Sequence, residues 1–436
     1  MHSGSAALNG AVSPLRSIAV VTVSAIPNLT GTSVNPLFRA ASLVAAGWRV
    51  TLYLPWFKAA EQEREYGRRF ADTAAQVAMI DAWLPASLRP YRPEIAFYDA
   101  HFDATWTIPQ PSVPITRALR GHDIVILEEL ERHFLKGRWL DLGVFGFRRK
   151  FPLVIAILHT NPAAFIGPRL GAWSVPLTRA LSAALSRQIC HHSFSVVSVS
   201  PVLRDPDEGL TSLNGVAPAF FETEQAPRGT QGAYFIGKLI PEKGLHHAFR
   251  LLDMVGADRF DLFGSGDLEY VRALEAAHGV RAVLHGGTAT PWRTLAPYRV
   301  FVNCSTSEVL CTTTAEALAM RKWVILPRHP SNRYFESFAN CLVYTDEQSF
   351  VSCWRRAMAE EPSEDPAAIT RLSWAAATQR LTKVLHAPPE KPYHDPLPFF
   401  AAPGRERRVV RRWLLRPDGQ FKGSFNGTHV PQRDGS

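Results

Sequence analysis

Cysteine and methionine are scarce in this chain of 436 residues, five of each, and the cysteines (Cys190, Cys304, Cys311, Cys341, Cys353) show no paired metal-ligand spacing. An odd count without such spacing argues against a disulfide framework and against zinc, and suits reduced thiols in a cytosolic setting. Long apolar runs are missing too. The longest, about Leu153–Leu158, falls far short of the roughly 20 residues a membrane-spanning helix needs. No basic stretch followed by an apolar one opens the chain, so residues 1–15 read as a flexible lead-in and not as a secretory signal. Acidic residues are in deficit, 39 Asp and Glu against 48 Lys and Arg, for a formal net charge of +9. That excess suits a phosphate-bearing ligand, an anionic bilayer surface or nucleic acid without choosing among them. With 46 % apolar and 20 % charged residues the chain has the balance of a folded globular protein, and its length favours two domains over one core.

What is present is a pair of α/β series. Ile18–Val23, a helical stretch Asn35–Ala46 closed by Gly47, and Arg49–Leu54 form a β-α-β unit. Ile124–Leu127, Leu153–Leu158 and Ser195–Val199 continue it as buried strands of an open parallel sheet. The pattern dissolves into a linker over 216–231. A second series follows, with strands Ala233–Ile236, Phe260–Phe263, Ala282–Leu284, Val300–Asn303 and Trp323–Leu326 alternating with helices such as Leu245–Leu252 and Leu268–Ala277. The expected layout is a first domain over 16–215, a second over 232–365, a C-terminal helix within 366–386, and a Pro-rich, basic tail over 387–436. In that tail Arg405–Arg416 mixes clustered Arg with Val, Trp and Leu, as an interfacial helix or a solvated basic segment would.

Four constellations carry chemistry. The loop Gly237-Lys-Leu-Ile-Pro-Glu-Lys-Gly244 follows a buried strand and opens a helix; Lys238 and Lys243 would neutralise a departing diphosphate beside the helix start. Gly264-Ser-Gly266 is a strand-to-helix turn that lets a ligand approach the backbone. Glu308 and Glu316 are two carboxylates with seven residues between them, placed to accept hydrogen bonds from sugar and ribose hydroxyls; Thr313-x-x-Glu316 also fits a capping box that would occupy the second acid. In the first domain His159-Thr-Asn161 follows a buried strand, where open α/β sheets place ligand-binding residues, and Gly31-Thr32 lies in the loop after the first strand. Glu128 and Glu129 end another strand, facing the same cleft or solvent.

In this order the motifs resemble the retaining glycosyltransferases of the GT-B fold, in which two Rossmann-like domains with parallel sheets face each other across a cleft and a Glu-x7-Glu signature is carried. A narrower resemblance covers roughly residues 18–385 and is to the digalactosyldiacylglycerol synthases. It is borne by Thr30–Arg39, Asp123–Glu129, His159–Asn161, Gly232–Lys238, Val309–Met320, His329–Asn332 and Leu372–Arg380. The resemblance implies transfer of galactose from UDP-galactose to monogalactosyldiacylglycerol with an α linkage and retained configuration, without a metal or cofactor. It implies that Lys238 and Lys243 hold the diphosphate, Glu316 the ribose, Glu308 the transferred sugar and His159 a sugar hydroxyl, with Gly31, Thr32, Gly237, Gly264, Gly266, Leu310, Cys311 and Thr312 around the donor. It also implies a C-terminal helix that crosses back onto the first domain. Position 238 is Lys where many members of the wider family have Arg, which keeps the charge and loses bidentate geometry.

A peripheral enzyme on the cytoplasmic face of a membrane, in a bacterial inner membrane, fits the short start and basic tail. Other readings stay open: UDP-glucose as donor, a different lipid or glycan acceptor, or a UDP-sugar epimerase. A nucleic-acid module is disfavoured, because the Arg clusters lie mainly in the tail with no accompanying motif. Oligomeric state is not legible.

Overall fold

The computed structural model describes residues 16–28, 30–103, 108–112, 114–133, 135–136, 139–140, 146–159, 186, 188–195, 197–198, 211–222, 229, 231–288, 290–305, 310–363 and 365–386. Within them the chain builds two large sheets, beside two short two-stranded ones. The first comprises β1 (Ser17–Val21), β2 (Arg49–Trp56), β3 (Glu94–Asp103), β4 (Ile108–Pro111), β5 (Ile124–Glu128), β6 (Leu153–Leu158) and β7 (His192–Ser195), in the order β4-β3-β2-β1-β5-β6-β7. Its pairs are parallel except β3 with β4. The second comprises β8 (Gln231–Ile236), β9 (Arg259–Phe263), β10 (Arg281–Gly286), β11 (Tyr298–Val302), β12 (Trp323–Pro327) and β13 (Cys341–Tyr344), all parallel, in the order β10-β9-β8-β11-β12-β13.

Both faces of the central strands are covered, which is why they read as unbroken apolar runs instead of alternating ones. On β1, Ile18 and Val20 pack with Leu37, Ala40 and Leu43 of the helix Gly31–Ala45, while Ala19 and Val21 pack with Leu119, Phe147 and Ile189 on the opposite face. Strand order reverses beside β1 in one sheet and beside β8 in the other. In open α/β sheets the loops leaving the C-terminal ends at such a reversal splay apart and open a crevice, so position alone marks these ends as candidate ligand sites.

Three local expectations shift. The first helix begins at Gly31 and not at Asn35, with Pro36 inside it. Proline has no N–H to offer the Thr32 carbonyl one turn back, and the Thr22 hydroxyl donates to that carbonyl instead, at 2.8 Å. The last strand of the first sheet runs His192–Ser195, and of the expected Ser195–Val199 only Val197–Ser198 is a further strand, paired with Thr211–Ser212 outside that sheet; the buried opening His192, in register with Ile155, gave no apolar signal. The C-terminal helical segment is broken into Pro366–Thr370 and Trp374–His386.

The latter helix lies on the first domain. Leu381, Val384 and Leu385 are in the same apolar cluster as Ile18 and Leu37, and the Trp374 ring stacks on Phe38 at 5.9 Å with 10° between the planes. Outgoing and returning chains run side by side where the domains join: Val216 N–H donates to Leu372 O at 2.7 Å. Gly215 has to be glycine there, because a Cβ would lie 2.5 Å from Trp374 Cα.

Candidate active site

Three loops of the second domain meet at the C-terminal ends of the neighbouring strands β9, β8 and β11. Gly237 N–H donates to Phe263 O, and Leu239 and Gly266 form a parallel bridge, so the lysine loop lies directly on the Gly264-Ser-Gly266 turn. The approach is too close for side chains: a Cβ at Gly264 would sit 2.0 Å from Gly237 O and one at Gly266 2.3 Å from Leu239 O. Both turn glycines are therefore demanded first by loop-on-loop packing, a reason the sequence reading did not give. On the other side Gly244, at φ 73°, presses on β11's exit, where a Cβ would meet Cys304 O at 2.4 Å. Between these anchors Lys238 is exposed and Lys243 half-buried, on the short turn Pro241–Lys243 that leads into the helix Leu245–Met254.

Past β11, Asn303 staples the chain. Its Nδ2 donates to Cys311 Sγ at 3.1 Å and to Thr314 Oγ1 at 3.3 Å, while its Oδ1 accepts from Ser305 N–H at 3.0 Å. These bonds fix both stems of the segment holding Glu308, which itself lies outside the described residues, as do Thr160 and Asn161. The helix Thr312–Ala319 then starts at N-cap Cys311 with no side-chain cap bond. The capping box open to Glu316 does not form. Among the described residues no side-chain hydrogen bond or ion pair reaches its carboxyl, and burial pushes that carboxyl up to about 8. A half-buried carboxyl that no described side chain engages is poised to accept hydroxyl donors. Burial, then the charge of Glu316, push the neighbouring Tyr234 hydroxyl well above its usual range.

Across the crevice Gly31 opens the first helix, and a Cβ built there would lie 4.0 Å from Thr312 Oγ1. Two helix starts, one from each domain, thus face each other, and both present backbone N–H groups and a partial positive charge suited to an anion. Leu310 packs against the cores of both domains. Thr32 is held by the Thr22 bond and by a 2.9 Å hydroxyl contact with Thr30. On the next strands β5 ends in Glu128 and β6 leads into His159, whose Nε2 lies 2.5 Å from Glu128 Oε2. Neither Glu128 nor Glu129 is solvated: both are 0 % exposed. Burial alone would raise the Glu128 carboxyl, but Arg39 and His159 outweigh it and hold it below its usual range.

The structure thus gathers Gly237, Lys238, Lys243, Gly264 and Gly266 at one end of the second sheet and sets Gly31 against Thr312 across the crevice. Arg39 and Asn303 escaped sequence reasoning, for their partners lie far along the chain or inside a loop. Among the described residues no cluster of His, Cys, Asp and Glu fits a metal ion, and no helix is long and apolar enough to cross a membrane. Burial raises the Cys304 thiol to about 11, so it is unsuited to nucleophilic work.

No protein-family model matches the chain. It is 35 % identical over 389 residues to digalactosyldiacylglycerol synthase 2 of Glycine max, covering 84 % of this chain and 82 % of that protein. To synthase 1 of Glycine max it is 36 % identical over 393 residues, and to synthase 1 of Arabidopsis thaliana 34 % over 392; it covers 48 % and 47 % of those proteins. The chain therefore spans about half the length of the synthase 1 relatives. All three are named chloroplastic, which lends no support to the expected bacterial inner membrane. Among solved structures, the sucrose-phosphate synthase of Thermosynechococcus elongatus matches with TM-score 0.53 at 13 % identity over 85 % of this chain and 98 % of that one. The pneumococcal O-GlcNAc transferase GtfA, solved with UDP and GlcNAc, matches with TM-score 0.51 at 11 % identity over 86 % and 100 %. At such identities these likenesses speak for the fold alone. Two facing parallel-sheet domains, a helix that returns to the first of them, and this level of identity along most of the chain lead to one conclusion: the chain belongs to the digalactosyldiacylglycerol synthase family and has the GT-B fold.

Proposed function

We propose that the protein transfers galactose from UDP-galactose to monogalactosyldiacylglycerol, forming digalactosyldiacylglycerol with retention of configuration. The observation that carries this reading is the meeting of the lysine loop, the glycine turn and the helix of Glu316 at one end of the second sheet, opposite the helix start at Gly31. A nucleoside diphosphate sugar needs this set of groups. Lys238 and Lys243 supply fixed positive charge for the diphosphate, backbone N–H groups at the facing helix starts add to it, and the Glu316 carboxyl receives the ribose hydroxyls. Glu308 holds the transferred galactose and His159 one of its hydroxyls. In this reading the two lysines do the work of a metal ion.

The reaction breaks the bond from galactose C1 to the phosphate oxygen while the acceptor hydroxyl oxygen bonds to C1 from the same face. The departing phosphate oxygen takes the acceptor proton, so charge gathers on the diphosphate where the lysines stand. The acceptor is a bilayer lipid, so we place the protein at a membrane surface, where its net charge of +9 favours anionic headgroups.

The test is to incubate purified protein with radiolabelled UDP-galactose and vesicles containing monogalactosyldiacylglycerol, then identify the labelled lipid and its linkage. Labelled α-linked digalactosyldiacylglycerol is expected. Lys243→Ala should lower turnover by about 100-fold or more, since charge stabilisation at the leaving group is among the largest catalytic effects. Transfer to another lipid only, or isomerised UDP-sugar without lipid, would refute the assignment.

A further inference from the structure

Behind His159 lies a buried polar chain that the proposed chemistry leaves unused. Glu128 Oε2 meets His159 Nε2 at 2.5 Å, and Glu128 Oε1 accepts Arg39 Nε at 2.6 Å. The two remaining guanidinium nitrogens donate to Leu213 O at 2.6 Å and to Asn214 Oδ1 at 2.7 Å. The Arg39 and Glu128 side chains are 1 % and 0 % exposed. A buried ion pair is a poor means of stabilising a fold, because apolar residues of the same volume do as well or better, so its presence here calls for another account.

Its connections supply one. An ionised carboxylate only accepts hydrogen bonds, so the contact with Glu128 requires a proton on His159 Nε2 and leaves Nδ1 as the ring's other polar atom. The opposite end of the chain grips the junction between domains. Leu213 and Asn214 stand just before Gly215 and Val216, where the chain leaves the first domain, and the Arg39 guanidinium lies over the ring of Trp374 at 5.5 Å, where the chain returns. One guanidinium thus touches both passages of the junction and the carboxylate that holds His159.

We propose that Glu128 is a positioning residue that fixes the tautomer and setting of His159, and that Arg39 couples this setting to the domain junction. The inference rests on the reading of His159 as a residue at the transferred sugar. Its role in the reaction is to keep the ring in register with the second domain, which brings the donor; a misplacement of about 1 Å at such a site costs up to about 100-fold in rate.

The experiment uses the full chain labelled with ¹⁵N-histidine, the His159 signal being assigned by its loss in His159→Gln. In the wild type the ring should carry its proton on Nε2; an Nδ1-protonated ring overturns the proposal without recourse to any variant. Glu128→Gln and Asn214→Ala should leave UDP affinity within about twofold, because UDP lacks the sugar His159 would touch and the two lysines for its diphosphate are in the second domain, and lower kcat about 10- to 100-fold. Asn214→Ala should also shift the His159 ring nitrogens, although the two residues do not touch, a change that a merely structural role would not produce. Unchanged ring signals together with kcat within about twofold of wild type in Asn214→Ala would overturn the coupling. Absence of any transfer by the wild type counts against the proposed function, and the nitrogen spectra then still decide the tautomer and the coupling.

Discussion

In the proposed function burial and ribose chemistry pull in opposite directions at Glu316. Burial pushes the carboxyl up to about 8, while hydroxyl donors stabilise the carboxylate more than the neutral acid. UDP binding near neutral pH should therefore expel a proton from this residue, and affinity should strengthen as pH rises from about 6 toward 8 and level off above. Titration calorimetry in two buffers of different ionisation heat would show it as proton release that Glu316→Gln lacks; equal release by wild type and variant would contradict it. Stability moves the other way. Between about 4.5 and 8 the folded state keeps a proton that the unfolded chain has lost, so this group's contribution to stability falls as pH rises through that window.

At the scale of elements, the loops ending β8 and β9 interlock backbone against backbone. Gly264 has φ 134° and no room for a Cβ, whereas Gly279, at φ 68° after the helix Leu268–His278, has nothing within 4 Å of a built Cβ. Gly264→Ala should cost about 2 kcal/mol or more in unfolding free energy and weaken UDP binding, while Gly279→Ala should cost about 1 kcal/mol and leave UDP binding intact. Denaturant melts with a UDP titration would check both; similar costs at the two sites would refute the interlock. These elements were legible in the sequence because their signals are local. An apolar run, a Gly turn and a Lys before a helix each announce themselves within a few residues, and both-face burial makes β1, β5, β6, β8, β9 and β11 hard to miss. By contrast β3 mixes Glu94, Asp99, His101 and Asp103 with apolar residues and lies next to the edge strand β4, so no clean apolar run marks it. The Arg39–Glu128 pair joins residues 89 apart and appears only once β1 and β5 are neighbours.

For the whole molecule the decisive feature is the return of the chain to its first domain. Trp374 is 5 % exposed, stacks on Phe38 and lies under Arg39, so it binds the returning helix to both the core and the buried ion pair. Trp374→Ala should cost about 3–5 kcal/mol and lower the melting of the first domain relative to the second, seen as a split or broadened transition in scanning calorimetry. A single transition at the wild-type temperature would mean that the helix does not tie the domains. In the proposed function two domains held in this way leave their facing strand ends to form one binding crevice. A crystal structure of the complex with UDP examines that claim most directly. The account predicts the diphosphate within about 3 Å of Lys243 Nζ and the ribose hydroxyls on Glu316. UDP bound elsewhere, with neither residue in contact, would contradict it.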